Sequence, residues 1–132
     1  CIRDSSVDSK QIEAFKMCIH SPISIVTGGP GTGKTTVVGI LAEHLRREKI
    51  EVKYCAPTGR AAKRLAEVVG EKVLTIHKLL ETVIPDEDNE SKTFFGRNSD
   101  DPIDARVVIV DEASMIEAKL FRALLDAIRP DA

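Results

Sequence analysis

Residues 28–36 read GGPGTGKTT. Gly28, Gly33, Lys34 and Thr35 fit the spacing G-x-x-x-x-G-K-[ST]. Glycines at this density accept positive φ and let backbone N–H groups turn toward one anion. A helix starting near Gly33 adds the positive end of its dipole. Such a loop needs a strand before it and a helix after it, and both flanks suit. The segment ISIVT at 23–27 reads as a strand. Residues 34–48 read as a helix with Val38, Leu41 and Leu45 on one face. The bland alternative is a glycine-rich turn at a strand–helix junction. Four fixed positions with both flanking elements point instead to a nucleoside triphosphate. Gly28, Gly29, Pro30, Gly31, Thr32, Gly33 and Thr36 then surround the phosphates. Lys34 neutralises the β- and γ-phosphates, and the Thr35 hydroxyl reaches Mg²⁺. The loop alone leaves the reaction open.

The rest of the chain alternates helices and strands. Residues 8–19 read as a helix, with Ile12, Phe15 and Ile19 as its apolar stripe. EVKYCAP reads as a strand stopped by Pro57, and 59–69 as a helix burying Ala61, Leu65, Val68 and Val69. TIHKLLETV reads as a short helix capped by Thr75. Residues 85–104 are polar and acidic, with TFF as a strand inside. ARVVIVDE reads as a strand buried on both faces. Ser114 and Glu117 match a capping box that opens a last helix through residue 128, with Met115 and Phe121 as core. The alternation predicts an α/β fold: a parallel sheet covered by helices.

Asp111 and Glu112 close the apolar strand. Ligands of open parallel sheets sit at the carboxyl ends of the strands, so Gly28 and Asp111 are expected at one sheet edge. Asp111 can hold Mg²⁺ through water, and Glu112 can orient or deprotonate a water that attacks the γ-phosphate. Acids at a helix start are also favoured by the dipole alone. A water-activating acid suits hydrolysis better than transfer to a bound substrate.

The 132 residues suit one domain, with 42% hydrophobic and 30% charged residues. Net charge is −2, but it is unevenly spread. Residues 44–78 hold nine Lys/Arg against four Asp/Glu, and residues 81–104 hold eight acids against two bases. The first block could meet phosphates and the second would repel them. Arg60, Lys63 and Arg64 fall at i, i+3 and i+4, one stripe of a helix. A nucleic-acid backbone or a solvated face paired to Glu67 fits that stripe equally. Gln11 fits either a capping pair with Asp8 or a reader of the adenine edge. Cys1, Cys18 and Cys55 have no CxxC spacing, and His20, His44 and His77 have no ligand spacing. A disulfide framework and a zinc site are therefore disfavoured, and a reducing compartment is expected. No apolar run approaches the roughly 18 residues of a membrane span. The chain starts at Cys1 and ends in RPDA just after an apolar helix, so it reads as a piece of a longer protein.

Taken in order, GGPGTGKTT, APTGRAAKRL, TIHKLL and VVIVDEASM resemble the RecD-like family of superfamily 1 DNA helicases. The resemblance spans about residues 8–121. It implies a P-loop NTPase with a RecA-like sheet, of which residues 1–132 would be the N-terminal part of the first motor domain. It implies ATP and Mg²⁺ as cofactors, and 5′ to 3′ movement on single-stranded DNA in the cytoplasm. Other subunits of a helicase–nuclease complex are further partners it suggests. By matching position, Gln11 contacts adenine, Lys34 and Thr35 serve nucleotide and metal, and Asp111 and Glu112 serve metal and water. Thr58, Gly59 and Arg60 fall in a motif lying against DNA, and Thr75 and His77 in a second one. Lys63 and Arg64 extend the first. Two rivals stand beside this: a nucleotide-binding regulatory module, favoured by only 4% aromatic residues, and an RNA helicase of the same superfamily.

Overall fold

The computed structural model describes residues 9–28, 33–83 and 94–132. They form two compact units, divided between Lys49 and Ile50.

The first unit is a helix pair. α1 spans Ser9–His20 and α2 spans Lys34–Arg47. The inward stripe of α1 is Gln11, Ala14, Phe15 and Cys18, not the expected Ile12, Phe15 and Ile19. Ile12 and Ile19 are exposed, because the helix is rotated to bring Gln11 inward. Phe15 meets the His44 ring edge-on at 5.5 Å. α2 buries Val37, Leu41, Ala42 and Leu45, and its last turn carries His44, Arg46 and Arg47, where cations suit the dipole. The expected strand at 23–27 does not form. A strand needs a ladder partner, and none of the described residues supplies one; Ile23 and Ile25 stay 78% and 77% exposed.

The second unit is built on a parallel sheet in the order β2-β1-β5, with β1 at Val52–Ala56, β2 at Val73–Thr75 and β5 at Val107–Val110. α3, Gly59–Val69, joins β1 to β2. The Thr58 hydroxyl accepts from the Ala61 N–H at 3.2 Å and starts α3. Gly70, at φ 67°, ends it in the left-handed conformation that glycine adopts without strain. α3 buries Ala61, Ala62, Leu65 and Val69, while Val68 faces out. β2 is a strand where the sequence suggests none. Its three residues pair with Tyr54, Cys55 and Ala56, so it exists through its neighbour rather than its own pattern. α4, Ile76–Leu79, is a single turn capped by Thr75. It ends sooner than expected, because Thr82–Val83 (β3) pairs antiparallel with Phe94–Phe95 (β4).

Among the described residues, β5 is an edge strand of half-buried residues rather than a strand covered on both faces. The capping box also fails. Ala113–Met115 close into a 3-10 turn, Ile116 is extended, and Glu117 becomes the N-cap of α5, Ala118–Ala127, without a side-chain bond. Met115 is 59% and Phe121 42% exposed, so neither belongs to the core. That core gathers Cys55, Ile76, Leu79, Leu80, Ile103, Ala105, Leu124 and Ala127. Burial pushes the Cys55 thiol up to about 12, so at neutral pH it is packing and not a nucleophile. Among the described residues, no helix is long and apolar enough to cross a membrane.

Candidate functional site

In the first unit the phosphate-loop lysine turns back on the loop. The Lys34 ammonium donates to the Gly28 carbonyl at 2.5 Å. Gly33 has φ 81° and is the N-cap of α2, with no side-chain cap. Its carbonyl accepts the N–H groups of Thr36 and Val37 at 3.1 and 3.3 Å. Lys34, Thr35 and Thr36 are exposed on the first turn. The first N–H groups of any helix have no acceptor within it, so this turn presents donors and a cation together. Gln11 comes from α1 and donates from Nε2 to the Gly33 carbonyl at 3.2 Å. Gly29, Pro30, Gly31 and Thr32 lie outside the described residues, as does Asp8, the expected capping partner of Gln11.

In the second unit, the parallel sheet brings three expected segments to its carboxyl edge. Ala56 pairs with Thr75, and Cys55 pairs with Val110. Thr58 lies two residues past β1, Thr75 ends β2, and Asp111 follows β5. The Asp111 N–H donates to the Cys55 carbonyl at 3.0 Å, which extends the ladder one step. Asp111 Oδ1 accepts the Glu112 N–H at 2.9 Å. Glu112 then takes φ 53° and ψ 40°, a left-handed conformation that costs a non-glycine residue roughly 1–2 kcal/mol. This kink carries Glu112 off the line of the strand and leaves it exposed. Residues 23–27 form no strand, so Gly28 does not follow a strand end as expected.

Thr58 and Thr75 both spend their hydroxyls on helix starts, to Ala61 and Lys78. Gly59 opens α3 with nothing within 4 Å of where a Cβ would stand, so a ligand can come close to its backbone. Arg60, Lys63 and Arg64 are exposed on α3. None of the three forms an ion pair among the described residues, with Glu67 or any other acid. His77 is exposed on α4 beside Lys78. Arg97, after β4, pairs with Glu81 ahead of β3 and with Asp101. Among the described residues, no three His, Cys, Asp or Glu side chains gather as a metal cage.

Two features escaped the sequence. The Gln11–Gly33 bond joins residues 22 apart and has no local pattern. The left-handed Glu112 has none either, since glutamate gives no hint of positive φ.

Residues 11–132 match the family described as AAA domain. The RecBCD enzyme subunit RecD of Haemophilus influenzae is 36% identical over 137 residues, covering 89% of this chain and 21% of that protein. The ATP-dependent RecD2 DNA helicase of Deinococcus radiodurans is 40% identical over 108 residues, covering 82% and 14%. This chain belongs to the RecD-like AAA domains. The ATP-dependent DNA helicase dda of phage T4 is also similar, at 36% over 106 residues, covering 80% and 24%. The RecD-like domain thus spans about a seventh to a quarter of the length of these relatives.

Proposed function

We propose that the intact protein hydrolyses ATP to move along single-stranded DNA, 5′ to 3′, and that this domain holds its first motor site. The observation that carries the reading is the α3 stripe: three exposed cations, unpaired by any described acid, beside the sheet edge where Asp111 and Glu112 stand. Lys34 and the first-turn N–H groups of α2 stabilise the β- and γ-phosphates. Gln11 lies on the nucleotide side and meets the adenine edge. Glu112 orients and deprotonates the attacking water. Mg²⁺ takes hard oxygen ligands, and the Thr35 hydroxyl and the Asp111 carboxylate are each of that kind. When bound, the ion would neutralise phosphate charge. Thr58, Gly59, Arg60, Lys63, Arg64, Thr75 and His77 face the DNA backbone. The same proposal puts the protein in the cytoplasm. Two relatives carry names as RecBCD subunits or as helicases in their own right, so assembly with further subunits is the part supported by names alone.

Replacing Arg60, Lys63 and Arg64 together with alanine is expected to weaken single-stranded DNA binding and flatten its salt dependence. Each phosphate that loses its cation should lower the log–log slope by roughly 0.7. Neutralising Asp100 and Asp101 should leave the slope alone. An unchanged slope in the triple variant would mean a merely solvated face. Equal or tighter binding of RNA by the parent protein would move the reading to an RNA motor.

A further inference from the structure

We infer that Gln11 is a positioning residue for the triphosphate, acting through the Gly33 peptide, in addition to any contact with the base. The inference rests on the reading that residues 28–36 hold a nucleoside triphosphate. Gln11 is the one buried amide side chain among the described residues, at 9% exposure. Its Nε2 donates to the Gly33 carbonyl at 3.2 Å. That carbonyl is also the N-cap acceptor of α2, since Thr36 and Val37 donate to it. Three donors therefore converge on one oxygen, and the glutamine is the only one from outside the helix.

The contact is tight. A Cβ built on Gly33 would lie 1.8 Å from Gln11 Nε2. Gly33 is thus needed twice, for its φ of 81° and for the space the amide takes. In a planar trans peptide the C=O and the next N–H point opposite ways. Holding the Gly33 carbonyl toward α1 therefore turns the Lys34 N–H away from α1. That N–H is a first-turn donor with no acceptor inside its own helix. Gln11 in this way fixes the plane that aims the first amide of α2 and sets the root of the Lys34 side chain. The same bond accounts for the rotation of α1, which places Gln11 inward and Ile12 outward.

The chemistry separates this role from base reading. A base reader matters only to ligands that carry a base, whereas a positioning residue matters to any polyphosphate. The experiment measures equilibrium binding of ATP and of inorganic tripolyphosphate, both with Mg²⁺, to the intact protein and to Gln11→Met. Methionine keeps the volume of glutamine and cannot donate to a carbonyl. Loss of one such hydrogen bond should raise both dissociation constants by the same factor, roughly five- to tenfold. An ATP constant that rises while tripolyphosphate is unchanged would leave Gln11 a base reader only and overturn the inference. No change in either would make it a spectator and overturn it as well. A parent protein that binds neither ligand, or binds both equally after Lys34→Ala, would defeat the underlying reading first. Should Gln11→Met disturb α1, a double-mutant cycle decides. The loss of tripolyphosphate binding caused by Gly33→Ala should be smaller in a Gln11→Ala background, where no amide meets the new methyl. Additive losses would overturn the coupling.

Discussion

Replacing Lys34 with alanine in the intact protein is expected to abolish ATP turnover. Lys34 is the only side-chain cation within residues 28–36. Its ammonium reaches the Gly28 carbonyl and ties the first turn of α2 to the first glycine of the motif. Removing it costs both the charge and that tie. A fixed cation aimed at developing negative charge contributes several kcal/mol, so turnover should fall by at least about a hundredfold. The side chain is exposed, and its loss should leave the melting temperature nearly unchanged. Turnover within about threefold of the parent would remove the phosphate loop from the chemistry.

Glu112→Gln should separate binding from hydrolysis. The amide has nearly the shape of the acid and cannot take a proton, so nucleotide binds while hydrolysis falls by about 10²–10⁴. The backbone adds a second test at this residue. Glu112 sits at φ 53° with no glycine to relieve it, one residue past Asp111 and two past the end of β5. Strain held at such a point is a mark of functional sites. Glu112→Gly should therefore fold at least as stably as the parent, by denaturant titration, while losing hydrolysis. Normal turnover in Glu112→Gln, or a clear loss of stability in Glu112→Gly, would take the residue out of both roles.

Local chemistry is legible in the sequence where a segment carries its own limits. α3 begins and ends where expected, since Thr58 caps it, Gly70 accepts a left-handed turn, and the apolar period is strong. α2 follows the glycines, as a chain leaving a phosphate loop should. Nonlocal terms are not legible. Residues 23–27 have the β-branched composition of a strand but lack a ladder, which depends on another segment. β2 is the reverse case, three unremarkable residues made into a strand by β1. Ser114 and Glu117 have the spacing of a capping box, but the kink at Glu112 closes the chain into a 3-10 turn first. At the site, residue types can be read and orientations cannot. The stripe of Arg60, Lys63 and Arg64 is ambiguous in sequence, and the structure pairs no described acid with it. Gln11 offers two roles from sequence, and the Gly33 carbonyl supplies a third.

The most direct test of the central claim is the ATPase rate of the intact protein with and without single-stranded DNA, at low and at physiological salt. A DNA-driven motor predicts a rate raised by single strands, lost in Lys34→Ala, and needing more DNA for half-stimulation as salt rises or when Arg60, Lys63 and Arg64 are replaced. A rate indifferent to single-stranded DNA at both salts would contradict it.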